Sequence, residues 1–256
     1  VTDLFEEVEE QIRSDRYRTL ALKALPWVLA VLGAALIAGL AFWGWDHYRT
    51  QAVNKASEQY ADAIDAMNRG ERPRALQLWT EVSESSAKGY KSLALMQLGG
   101  LQLSERRTAE AVKLFDQAAD AAPNEVIGDA ARLKSALALL DTAPYTEVEA
   151  RLTPLMQEGR PYRVQAREAL AFAKLTAGNA AGARGDFVVI SGMLDAPDGA
   201  RGRAKAAMDL IDSGSAKALP AAVKAAAALP PPAPSGQLPP GLVPPSAPQP
   251  QAPGPQ

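Results

Sequence analysis

The spacing of hydrophobic positions changes three times along this 256-residue chain. Near the start, Leu4, Phe5, Val8, Ile12 and Leu20 recur at helical spacing, with Glu6, Glu7, Glu9, Glu10 and Arg13 on the other faces. Asp3 is placed to cap this helix, acids fill its first turns as the helix dipole favours, and Glu9 and Arg13 form an i,i+4 pair in the better orientation. Residues 1–23 are therefore expected to form an amphipathic leader helix. Its apolar stripe has three possible fates: the bilayer, a partner, or plain solvation of the leader.

The helical alternation then gives way to a continuous apolar run. No charge occurs from residue 24 to residue 45, and PWVLAVLGAALIAGLAFWGW occupies 26–45. As a helix the uncharged run spans about 33 Å, enough for a hydrocarbon core of roughly 30 Å. Trp27 marks one end, and Trp43, Trp45 and Tyr48 mark the other, where aromatic rings favour the headgroup boundary. A signal peptide has a shorter apolar stretch, about 7–15 residues, behind a short basic segment. Residues 24–45 thus read as a retained transmembrane anchor. Arg13, Arg16, Arg18 and Lys23 precede it, against Arg49 and Lys55 behind, so the positive-inside rule sets the N-terminus in the cytoplasm. In a bacterial cell that orientation puts residues 46–229 in the periplasm, held to the inner membrane by a single pass. One span encloses no pore unless it oligomerises. Ala30, Ala34 and Ala38 share one face of the span, and Ala35 stands one turn from Gly39. Small residues so spaced let a second helix approach in lipid, although an alanine-rich composition yields the same spacing.

From Val53 onward the chain is rich in alanine and leucine, poor in β-branched runs and punctuated by short turn signals, which predicts helices throughout. LGGLQLSERRTAEAVKLFDQAADAAP, at 98–123, matches the tetratricopeptide pattern. Leu98-Gly99 supplies the apolar-small pair of a first helix; Ala111, Phe115 and Ala118 supply the small-large-small face of a second; Pro123 ends it. The small residues let the two helices pack closely while Phe115 fills the space between neighbouring units. Ala63, Gly70, Ala75, Trp79 and Val82 form a weaker copy upstream, with Ala75 standing 36 positions before Ala111. Leu170-Ala171, Gly178, Ala183 and Phe187 form another downstream, and 129–140 with 146–156 supply a degenerate pair around Pro144. Residues 200–212 and 216–229 read as capping helices. The expected fold is all-α: a single transmembrane helix, a tetratricopeptide-like α-solenoid of helix pairs over 46–229, and a disordered tail at 230–256. That tail is proline-rich, without charge or aromatic ring, and cannot bury a core.

In such a stack the first helix of each pair lines the concave face. Tyr60, Ile64, Met67, Met96, Leu103, Phe172 and Leu175 are the groove candidates by that placement. Two are methionines, which adapt to varied apolar partners. Packing against the next helix is the competing role for the same residues.

Composition adds mainly exclusions. Lysine and arginine total 27 against 29 acids, a net charge of −2 that gives no electrostatic case for nucleic acid. Cysteine is absent, which removes disulfides, thiolate nucleophiles and the usual structural zinc sites. The single histidine, His47, lies just beyond the span, and no P-loop, Rossmann glycine pattern, nucleophile elbow or metal-ligand spacing occurs. Neither an enzyme, a cofactor, a metal nor a small-molecule substrate is expected.

Taken together, the leader TDLFEEVEEQIRSDR, one span and degenerate repeats resemble the YfgM-like tetratricopeptide family, the ancillary subunit of the SecYEG translocon, in its alphaproteobacterial form. The resemblance covers residues 2–212; the proline tail is not part of it. It implies an inner-membrane protein with a periplasmic repeat domain. It further implies association with SecYEG and with the membrane-anchored periplasmic chaperone PpiD, assisting unfolded envelope proteins as they emerge. An alternative expectation is a structural scaffold for cell-envelope or division machinery, with the tail crossing the peptidoglycan layer.

Overall fold

The computed structural model describes the backbone of residues 3–227, and side-chain surroundings at Leu25, Trp27 and 29–225. The tail expected at 230–256, and the apolar stripe expected on the leader, lie outside the described residues and side chains. All regular structure among the described residues is helical. Helix α1 (Asp3–Asn68) is followed by α2 (Arg72–Glu84), α3 (Lys88–Ser104), α4 (Thr108–Ala121), α5 (Glu125–Ala138) and α6 (Tyr145–Leu152). A 3₁₀ turn (Thr153–Met156) leads to α7 (Arg163–Thr176), α8 (Ala180–Gly192) and α9 (Asp198–Asp212); a second (Ser215–Ala218) leads to α10 (Leu219–Ala227).

The leader, the apolar run and the first repeat helix are one uninterrupted helix of 66 residues, about 99 Å long. Its apolar portion stands clear of the rest of the molecule. Leu29, Leu32, Leu36, Leu40 and Trp43 are exposed, and this is the one helix among the described residues long and apolar enough to cross a membrane. Burial begins at Ala56, where α1 meets α2 and α3.

From there the helices form antiparallel pairs: α1 with α2, α3 with α4, α5 with α6, α7 with α8. From α1 to α9 each helix packs on its successor, and α1–α3, α3–α5 and α7–α9 also touch, as in a stack where like helices lie side by side. The period is 36 residues. On the first helices, Ala63, Gly99, Ser135, Ala171 and Ala207 stand 36 apart, and all five are buried. Ala56, Ser92, Gly128, Val164 and Ala200 repeat the interval one side over, and all are buried too. On the second helices the buried triplets are Ala75/Trp79/Val82, Ala111/Phe115/Ala118 and Ala183/Phe187/Ile190. A small residue admits the neighbouring backbone, and each buried large one contributes roughly 1.5–3 kcal/mol by leaving water.

The turns carry the same period. Gly70, Arg106, Gly178 and Gly214 all have positive φ, at 79°, 60°, 82° and 79°. Each of the first three ends a helix with a backbone bond spanning five residues: Glu71 N–H to Ala66 C=O, Arg107 N–H to Gln102 C=O, Asn179 N–H to Lys174 C=O. The third pair departs from this. Its turn runs through Thr142 to Pro144, and its triplet is Val148/Leu152/Leu155, one residue late. The 3₁₀ turn and the loop to α7 restore the register, since Val164 and Ala171 are back in phase.

Candidate functional site

A stack of this kind offers extended surfaces, and polar contacts fix how those surfaces are presented. Many of these contacts join groups nearly one repeat apart. Tyr90 Oη donates to Ser57 Oγ at 2.8 Å across 33 residues, and Arg151 bridges Asp116 at 3.0 Å across 35. Arg203 grips Glu168 with two bonds of 2.6 and 2.8 Å, again across 35. Arg72 pairs with Glu105, and Arg160 with both Glu125 and Asp129. Bonds at this interval tie each unit to the next and set the angle between them. Two of the acids, Asp129 and Glu168, are buried, so their arginines are needed for charge neutralisation. The sequence offered a signal for these clamps, the 36-residue phase of the small residues, but one well-formed repeat showed it only weakly.

The titrating groups have structural causes. Hydrogen bonds from Arg163 and Arg184 hold the Asp195 and Asp212 carboxyls below the ordinary carboxylate range. Burial, reinforced by a 2.6 Å bond donated to Glu149, pushes the Tyr145 phenol up to about 12. His47 stacks on Trp43 with 5.6 Å between ring centroids and bonds to Gln51 at 2.9 Å. No group of three or more metal-ligating side chains is gathered among the described residues.

The seven groove candidates fall on three repeating positions of the first helices. Tyr60 and Met96 are equivalent; so are Ile64 and Phe172; so are Met67, Leu103 and Leu175. Ile64, Leu103 and Phe172 are the open ones, 37–40% exposed. The Phe172 ring meets buried Phe187 edge-on at 5.3 Å, so half of it is anchored and half is offered to solvent. Tyr60 is half-buried; its hydroxyl accepts from Gln97 Nε2 at 3.0 Å, and its ring lies 5.9 Å from that of Tyr90. Met67 and Met96 are half-buried against the cores. Leu175 is 4% exposed and belongs to the α7–α9 core, so it presents no surface for a partner. On the span, Ala30, Ala34, Ala35, Ala38 and Gly39 are all exposed, with nothing within 4 Å of a Cβ built on Gly39. Sequence reasoning missed other open apolar positions: Val126, Leu137, Val188, Val189, Leu194 and Leu210. Helical periodicity alone does not separate them from the core.

A family profile for a tetratricopeptide repeat-like domain matches residues 24–224. The chain belongs to that family. Comparison with curated proteins and with solved structures gives no match. The profile begins where the apolar run begins, so in this tetratricopeptide repeat-like protein the membrane-length segment lies inside the family unit. The all-helical repeat architecture is typical of protein-interaction scaffolds, and protein partners are its general ligand class.

Proposed function

We propose that this tetratricopeptide repeat-like protein is a membrane-anchored periplasmic adaptor of the Sec translocon, with a chaperone-like role toward envelope proteins as they emerge. The observation that carries the proposal is α1, which is both the membrane-length helix and the first helix of the repeat stack. Repeats so joined are held beside the bilayer, within reach of a membrane-embedded partner and of chains leaving it. The charge imbalance across the span supports a periplasmic repeat domain over 46–229. The resemblance of the leader and repeats to the YfgM-like family supports SecYEG and PpiD as the partners. Ile64, Leu103 and Phe172 supply the apolar contacts for unfolded segments, and the Ala30/Ala34/Ala38 face supplies the contact within the bilayer.

Photo-crosslinkers at Ala34, Ala38, Leu103 and Phe172, activated in intact membranes, test this reading. SecY captured from the span positions, with PpiD or nascent envelope proteins captured from the repeat positions, is the expected result. A deep capture set lacking all of these rejects it. Replacing the span by polyleucine separates the contributions: partners lost with the swap are recruited by the helix, and partners retained belong to the repeats or leader.

A further inference from the structure

Where α1 leaves its apolar stretch, it does not stand free of the first two repeats. A cavity of about 540 Å³ opens between α1 and the corners α2–α3 and α4–α5; its lining includes Trp45, Tyr48, Arg49, Lys88, Tyr90 and Pro123. Three features of this cavity converge on one ligand chemistry. The first is charge. Arg49 and Lys88 are its only ionised lining groups, and neither is engaged in an ion pair among the described residues. For Arg49 that is unusual in this molecule, where Arg69, Arg72, Arg107, Arg151, Arg160, Arg163, Arg184 and Arg203 all meet carboxylates. The two adjoining cavities each carry acids, Asp120 in one and Glu81 with Glu84 in the other.

The second feature is height. Arg49 lies one helical turn, about 6 Å, beyond Trp45, the last residue of the apolar run. With Trp45 at the headgroup boundary, Arg49 falls at the level of lipid phosphates, and Lys88 lines the same cavity. The third is the wall. Trp45, Tyr48 and Val53 form an apolar side continuous with the lipid-facing surface of α1, and the Ser86 hydroxyl borders the polar side. The first turn of α3 has no side-chain cap and borders the same space, which adds backbone N–H donors to those of the cations.

We propose that this cavity binds the phosphodiester of an anionic phospholipid, with Arg49 and Lys88 on the phosphate and Trp45 and Tyr48 against the start of the acyl chains. The site joins span and repeats through a lipid molecule, and so holds the α2–α3 corner to the membrane surface. It rests on the spanning reading of α1 and is indifferent to which partner the repeats serve.

Native mass spectrometry of the full-length chain in an uncharged detergent tests it, with dioleoylphosphatidylglycerol and dioleoylphosphatidylcholine titrated separately. The wild-type chain is expected to retain one phosphatidylglycerol in preference to phosphatidylcholine. The Arg49→Gln/Lys88→Gln double variant is expected to weaken that retention about tenfold or more. Arg49→Lys/Lys88→Arg is expected to preserve it, and millimolar inorganic phosphate is expected to displace little of the lipid. Helical content and melting of each variant establish that the fold is kept. Equal retention by the glutamine variant, equal retention of the two lipids, or full displacement by inorganic phosphate overturns the site. Alkaline carbonate extraction of membranes reports the span separately. Release of the chain into the soluble fraction rejects the spanning reading; retention with lipid binding unchanged by the glutamine variant rejects the lipid site alone.

Discussion

Gly99 and Gly100 are neighbours in the middle of α3 with opposite reasons for being glycine. A Cβ on Gly99 would stand 2.7 Å from Cε1 and 2.9 Å from Cδ1 of Phe115, a ring only 2% exposed and without room to turn aside. A Cβ on Gly100 would meet nothing within 4 Å. Gly99→Ala is therefore expected to destabilise by about 1–3 kcal/mol, overpacking outweighing the better helix propensity of alanine. Gly100→Ala is expected to stabilise by up to about 1 kcal/mol. Urea titration of the detergent-solubilised protein checks both signs in one experiment. Arg106 takes the left-handed turn position that Gly70 and Gly178 fill elsewhere, and Arg106→Gly is expected to raise stability by about 1 kcal/mol in the same assay. Tyr145 gives a prediction at high pH. Its phenol is raised from an ordinary 10.0 to about 12, so the folded state holds the proton more tightly than the unfolded chain. The stability this contributes is present below pH 10 and is lost as pH rises through about 12. Melting points measured across that interval are expected to fall more steeply for the wild type than for Tyr145→Phe.

At the scale of the helices, α5 to α7 depend on a charge cluster that hydropathy does not reveal. Asp129 is fully buried on α5, bonded by Arg132 at 3.0 Å and by Arg160 from the loop before α7. Arg160→Met is expected to cost about 3 kcal/mol, because the carboxylate loses its interhelical partner in a dry setting. Adding Asp129→Asn is expected to recover part of that loss, which a double-mutant cycle by denaturant melting measures. This cluster also shows what the sequence made legible. The pairs α1–α2, α3–α4 and α7–α8 were readable because Ala75/Trp79, Ala111/Phe115 and Ala183/Phe187 keep the small-large spacing in phase. The pair α5–α6 was harder, because its packing face comes one residue late and its stability relies on ion pairs between distant positions. Of the seven groove candidates, Leu175 illustrates the limit: it shares a helical position with exposed Leu103, yet it is buried in the cluster built by α7, α8, α9 and the turn at Ala216.

At the scale of the whole molecule, the stack is closed at one end by α9, which lays Ala200, Ala204 and Ala207 against Phe187, Ile190 and Leu175. Deleting residues 198–227 uncovers that core, so the shortened protein is expected to melt earlier and to bind more of a hydrophobic dye than the full chain does. At the opposite end the first helix runs on into the apolar span without a linker, and no capping helix covers it among the described residues. That continuity makes the helix a protractor. Each residue added to an α-helix turns the remainder of the chain by about 100° and lifts it by about 1.5 Å. One alanine inserted between Tyr48 and Val53 would swing Ile64, Leu103 and Phe172 to another compass bearing around the membrane normal while leaving every contact among the repeats intact. Seven inserted alanines would nearly restore the bearing and raise the stack by about 10 Å. A partner fixed in the membrane would distinguish the two insertions. The azimuth of the repeats is thus encoded in a residue count, and it is as specific as any side chain they present.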